Sequence, residues 1–297
     1  MSITRRTALQ TVLAAGAAAV GARPAKAAVL PQPPRNAVGL LYDTTLCIGC
    51  KTCMVACRDA NGLTSDRSTP GGAQYYEPVD LNAHAKTVIK LYADADGMTR
   101  SYVKAQCMHC VDPACAAACM LGSLQKREFG IVTYDPDLCV GCRYCEVACP
   151  FNVPKFEWAS AAPRIVKCEL CKERLAEGKE PACTEVCPRK AVIFGPRAEL
   201  LKEAKRRIAA SPGRYVPTVY GEAEGGGTQV LYLSHVPFET LGLPALGAAP
   251  APELARSLQH GIYRGFAGPL ALYGVLGFVM WRNRSANASR SGDGEEQ

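Results

Sequence analysis

Cys139-Val140-Gly141-Cys142-Arg143-Tyr144-Cys145-Glu146-Val147-Ala148-Cys149-Pro150 decides how this chain folds. Four thiols stand within eleven residues, at i, i+3, i+6 and i+10, and a proline closes the run. Three more quartets occur: Cys47, Cys50, Cys53, Cys57; then Cys107, Cys110, Cys115, Cys119; then Cys168, Cys171, Cys183, Cys187. All sixteen cysteines of the 297 residues fall in these four groups.

A [4Fe–4S] cubane takes one thiolate per iron, and the run at 139–150 has the C-x2-C-x2-C-x3-C-P spacing of bacterial ferredoxins. Three closely spaced cysteines wrap one corner of the cube. The fourth starts a short helix and points away, toward a second cluster. Four quartets therefore imply four clusters, and four clusters imply a path for single electrons. Zinc is the first rival. Structural zinc favours two separated C-x2-4-C pairs, which the fourth group satisfies alone and the compact first and third do not. Disulfides are the second rival, because an exported chain with an even cysteine count invites them.

The N-terminus bears on that rival. Residues 1–27 carry Arg5-Arg6, an apolar run from Thr11 to Ala22 made mostly of Ala and Gly, and an Ala25-Lys26-Ala27 cleavage site. These read as a twin-arginine signal peptide, although Ala8 departs from the usual phenylalanine. Export after folding lets clusters enter in the reducing cytoplasm, before an oxidising compartment can form disulfides. Near the other end, Gly265–Trp281 is a run of 17 residues without charge. It spans ~26 Å as a helix, close to the ~30 Å hydrocarbon core. Tyr263 and Trp281 border it, and Arg282, Arg284 and Arg290 follow. We expect a transmembrane anchor over 261–284, with a cytoplasmic tail over 285–297 and the bulk of the chain on the periplasmic face.

The formal charge of +7 does not point to nucleic acid. Residues 1–27 hold four basic side chains and no acidic one, leaving +3. Four oxidised clusters with their thiolates contribute ~−2 each, so the surplus of Lys and Arg offsets buried anions. No polybasic stretch with interleaved aromatics occurs.

The cysteine region is duplicated. Tyr42-Asp43-x-x-Leu46-Cys47-x-Gly49-Cys50 recurs as Tyr134-Asp135-x-x-Leu138-Cys139-x-Gly141-Cys142. Groups two and four share a P-A-C-x-x-x-C ending, at Pro113 and Pro181. We expect an α+β fold of two tandem dicluster ferredoxin-like units with long loops over 28–210, plus the C-terminal transmembrane helix. Short strands are expected at Gly39–Tyr42, Thr87–Tyr92, Ser101–Lys104, Gly130–Tyr134, Ala191–Phe194 and Gln229–Leu233. Ala198–Ala209 reads as an amphipathic helix burying Leu200, Leu201, Ala204 and Ile208. Residues 211–260 read as an extended arm and linker.

These motifs resemble the HybA-type iron–sulfur subunit of membrane-bound uptake nickel–iron hydrogenases. The resemblance runs through L-Y-D-T-T-L-C-I-G-C, Q-C-M-H-C-V-D-P-A-C, G-C-R-Y-C-E-V-A-C-P-F-N-V-P-K-F, K-C-E-L-C and Y-G-E-A-E-G-G-G-T-Q-V-L. It implies nested ligation: Cys47, Cys50, Cys53 with Cys187; Cys168, Cys171, Cys183 with Cys57; Cys107, Cys110, Cys115 with Cys149; Cys139, Cys142, Cys145 with Cys119. Spacing alone leaves a sequential pairing open. The proline after the fourth cysteine is present at Pro150 and Pro188 and replaced by Arg58 and Met120, which leaves the turns of groups one and two open.

The resemblance further implies a subunit without catalytic residues. It would relay electrons between a hydrogenase, through its small and large subunits, and an integral membrane quinone-reactive subunit. The β subunit of a respiratory formate dehydrogenase is the nearest alternative. A catalytic polyferredoxin would need a dinucleotide fingerprint or a P-loop, and neither is present. Among the histidines, His109 reads as packing or a hydrogen bond beside Cys107 and Cys110. His260 reads as an interfacial contact, while His84 and His235 carry no signal.

Overall fold

The computed structural model describes residues 32–64, 78–95, 97–158, 160, 163–253, 269–270 and 272–281. Within 32–253 the central sheet has the order β8-β1-β9. Strand β1 (Val38–Asp43) pairs antiparallel with β8 (Val192–Pro196) and parallel with β9 (Val230–Leu233). A middle strand covered on both faces needs no polar alternation, and β1 reads V-G-L-L-Y-D for that reason. Leu40 and Tyr42 point into a core shared with Val103, Met108, Cys183 and Tyr232. Leu41 points the other way, onto Leu200, Ala204 and Leu233.

The helix on that second face is the long one, spanning Arg197–Ala210, where the apolar spacing predicts it. Leu200 and Ala204 are buried, and Leu201 and Ile208 pack beside them. Its basic face is laced by Glu203 to Arg206 and Arg207 ion pairs. Three two-stranded ladders accompany the sheet: β2 (Thr87–Ala93) with β3 (Arg100–Gln106), β4 (Leu124–Lys126) with β5 (Val132–Tyr134), and β6 (Lys155–Phe156) with β7 (Ile165–Val166). All six expected strands are present to within two residues at each end; β4, β6 and β7 are additions.

The stretch read as an extended arm does more than link. All four residues of β9 are buried, and β9 closes one side of the central sheet. Through Pro252 it belongs to the same compact body as the cysteine region. Ferredoxin-like content of mixed helix and strand is thus observed, but the C-terminal span is not supported. Residues 272–281 are helical, yet among the described residues no helix is long and apolar enough to cross a membrane. Residues 261–268 and 282–284 of the expected anchor, the signal peptide and His260 all lie outside the described residues.

Candidate metal centres

Five short helices carry or follow the cysteines. In chain order, α1 (Thr52–Ala60) follows the first loop, α2 (Ala114–Ala117) the second, α3 (Tyr144–Ala148) the third, and α4 (Lys172–Ala176) with α5 (Ala182–Glu185) the fourth. The long helix is α6. Packing pairs α1 with α5 and α2 with α3. Group one therefore lies against group four, and group two against group three.

Each loop turns the same way at the residue before its second cysteine. Gly49, His109, Gly141 and Leu170 all take positive φ, at 69°, 47°, 69° and 54°. Glycine adopts this conformation without penalty, while side chains resist it. His109 and Leu170 hold it with their side chains fully buried. This turn aims backbone N–H groups at sulfur. Gly49 N donates to Cys47 Sγ at 3.5 Å, and Leu170 N to Cys168 Sγ at 3.4 Å. Past the fourth cysteine, Gly122, Asn152 and Lys190 again take positive φ, three residues on in each case. Met120 in place of proline therefore leaves the turn of group two intact. Arg58 acts differently, letting α1 run on past Cys57 to Ala60.

The duplication survives in three dimensions. Asp43 accepts from Thr45 N and Asp135 from Asp137 N, both at 3.0 Å. The Tyr42 hydroxyl lies beside Cys47 and the Tyr134 hydroxyl beside Cys139. Burial and those thiols raise both phenol pKa values.

Cys47, Cys50, Cys53 and Cys187 line one cavity. Cys119, Cys139, Cys142 and Cys145 line another. Both are walled by apolar groups, Ile89 and Val192 in the first, Phe156 and Ile165 in the second. The remaining eight thiols are neighbours in two sets by their mutual electrostatics. Cys57 feels Cys168, Cys183 and Cys171, and Cys110 feels Cys107, Cys115 and Cys149. Every cysteine is a free thiol. No three of the described His, Cys, Asp or Glu side chains converge on a single-ion site. Four soft donors around a cavity, with N–H groups aimed at sulfur, fit a cubane.

Burial dominates the thiol chemistry. It raises Cys53, Cys115 and Cys145 to about 12, and Cys107 and Cys171 to about 11. Metal-free thiols here stay protonated at neutral pH, and metal uptake must expel those protons. Two buried cations oppose the rise. Lys104 lowers Cys53, Cys57 and Cys183, while Lys167 lowers Cys107, Cys115 and Cys149. Neither lysine stood out in the sequence, since only burial distinguishes them from surface lysines.

His109 is wholly buried. Val132 N donates to its Nδ1 at 3.0 Å, so the expected hydrogen bond is present and its ring proton lies on Nε2. Nε2 has no hydrogen-bond partner. His84 Nδ1 is 2.8 Å from Thr64 Oγ1, and His235 Nδ1 is buried without a partner.

Residues 98–197 match the 4Fe-4S dicluster domain family. The chain is 40% identical to the Hydrogenase-2 operon protein HybA of Escherichia coli O157:H7, over 95% of this chain and 96% of that protein. It is 35% identical to the nitrate-inducible formate dehydrogenase iron-sulfur subunit of E. coli K12, over 80% of this chain and 81% of the relative. It is 37% identical to the formate dehydrogenase iron-sulfur subunit of Haemophilus influenzae, over 67% and 64%. Coverage nearly end to end, with sixteen free thiols grouped by fours, decides between these relatives: the chain belongs to the HybA family of iron–sulfur electron-transfer subunits and carries four [4Fe–4S] clusters.

Proposed function

We propose that the chain passes single electrons between a periplasmic nickel–iron hydrogenase and a quinone-reactive membrane subunit, catalyses no reaction itself, and binds its clusters in the nested order. Bound clusters supply reversible one-electron chemistry. This chain's own residues bind iron through thiolate, donate N–H groups to sulfur, and exclude water with apolar walls such as Phe156 and Val192. The observation that carries the nested order is the packing of α1 on α5 and α2 on α3. In that order Cys187 completes the set of Cys47, Cys50 and Cys53, and Cys119 completes that of Cys139, Cys142 and Cys145. Cys57 joins Cys168, Cys171 and Cys183, and Cys149 joins Cys107, Cys110 and Cys115.

Cysteine-to-serine variants test this ligation. Cys47→Ser and Cys187→Ser should perturb the same paramagnetic centre, although 140 residues separate them. A centre shared by Cys187 and Cys139 instead would refute the nesting.

The partners rest on the extent of similarity to HybA and on the two chain ends. A twin-arginine signal suits a folded, cluster-loaded cargo, and a C-terminal apolar run suits a membrane dock. Residues 272–281 are helical and exposed along their length, consistent with such a role. Purification from detergent-solubilised membranes should bring down a nickel-containing large subunit. The second reading, a formate dehydrogenase β-type subunit, draws on the 35% identity to that subunit and predicts molybdenum or tungsten in the same preparation.

A further inference from the structure

Lys104 is a buried lysine, 1% exposed, on β3. Its Nζ donates to Thr87 Oγ1 at 2.6 Å and to Gln106 Oε1. Thr87 and Gln106 face one another across the β2–β3 ladder, so the ammonium is clamped between two neutral groups. Among the described residues no carboxylate lies within ion-pair distance of it. The acids bordering the same cavity are Asp80, which Lys90 engages at 2.8 Å, and Glu239. An ammonium removed from water without a counter-charge costs several kcal/mol. Its strand neighbours Val103 and Ala105 share apolar clusters with Cys53 and Cys183 and with Cys168, and the sulfurs of Cys53, Cys57, Cys168 and Cys183 are the groups that act on its charge.

On the nested ligation proposed above, on which this inference rests, those four sulfurs belong to two neighbouring clusters. Cys53 holds one, while Cys57, Cys168 and Cys183 hold the other. We infer that the Lys104 ammonium is a fixed counter-charge shared by these two clusters, holding both at higher reduction potential than their thiolates and burial alone would set. The effect is electrostatic. Reduction adds one electron to a cluster that is already anionic, and no bond is made or broken. A nearby positive charge favours the more negative state. Because the charge acts on sulfurs assigned to both clusters, it would raise both potentials together. Lys104 is in this sense a positioning residue for charge rather than a ligand.

Redox titration of the purified complex, followed by electron paramagnetic resonance, tests the inference. In Lys104→Gln, two of the four centres should shift to lower potential and two should stay, with iron content unchanged. Lys104→Arg, which keeps the charge, should restore the original potentials. All four centres unmoved, or all four moving together, would overturn the role of Lys104 while leaving the clusters themselves established. Sequential ligation would spread the same four sulfurs over three clusters, so three moving centres would count against the nesting instead. Should Lys104→Gln fail to retain iron, Thr87→Val keeps the charge and loosens its clamp. A smaller shift confined to the same two centres is then expected, and its absence refutes the inference.

Discussion

Tyr232 donates its hydroxyl to the carbonyl oxygen of Lys104 at 2.5 Å, across 128 residues of chain. The bond ties β9 to β3, and both groups are buried. Tyr232→Phe leaves that carbonyl short of a partner, at a cost of about 1–3 kcal/mol. The denaturation midpoint of the holoprotein should fall accordingly. Cluster potentials should hold, because the ammonium itself is untouched.

The two duplicated aspartates offer a matched pair. Asp43 is wholly buried and bound to Thr45, to Tyr215 at 3.0 Å and to Arg207 at 3.1 Å. Asp135 makes its turn bond at the surface. Asp43→Asn strips the charge from a buried pair and should cost about 3 kcal/mol, whereas Asp135→Asn should cost under about 1 kcal/mol. Equal losses in parallel chemical denaturations would contradict this.

Gly49 and Gly141 occupy equivalent turns but unequal space. A Cβ at Gly49 would meet the Tyr102 ring at 2.3 Å, whereas at Gly141 the nearest atom is Pro163 Cγ at 3.1 Å. Alanine costs about 1–2 kcal/mol at either from the left-handed backbone. Gly49→Ala adds displacement of the ring, so it should be the more damaging of the two, read as iron retained per chain after mild denaturant.

His109→Leu removes the acceptor of the Val132 N–H and leaves that donor buried and unpaired. A loss of about 1–3 kcal/mol is expected. Amide exchange at Val132 should accelerate specifically, a change that general loosening of the core would not single out.

Removing iron under anaerobic conditions should abolish cooperative melting of the body. The buried thiols of Cys115 and Cys183 sit within the apolar clusters themselves and Cys53 packs against one of them, so the metal sites and the core are one structure. An unchanged calorimetric transition after chelation would separate them.

Much of this arrangement was readable from residue spacing, because thiol ligation and apolar periodicity are local signals. The quartets, the Tyr-Asp repeat, β1 and α6 all announce themselves within a dozen residues. What was hidden is long-range or conformational. Nothing local tells that Val230–Leu233 pairs with Leu40–Asp43. Strands of two or three residues, such as β4, β6 and β7, are too short to show a period. His109 and Leu170 adopt a glycine-like turn because burial holds them there, which no propensity reveals. Lys104 looks like any surface lysine until its surroundings are known.

The parallel pairing of β1 with β9 also sets a schedule for biosynthesis. The ribosome makes β1 among the first residues of the body and β9 almost last, so the sheet lacks one side until translation passes Leu233. The core that Cys183 shares with Tyr42, Val230 and Tyr232 is therefore incomplete until that last strand emerges.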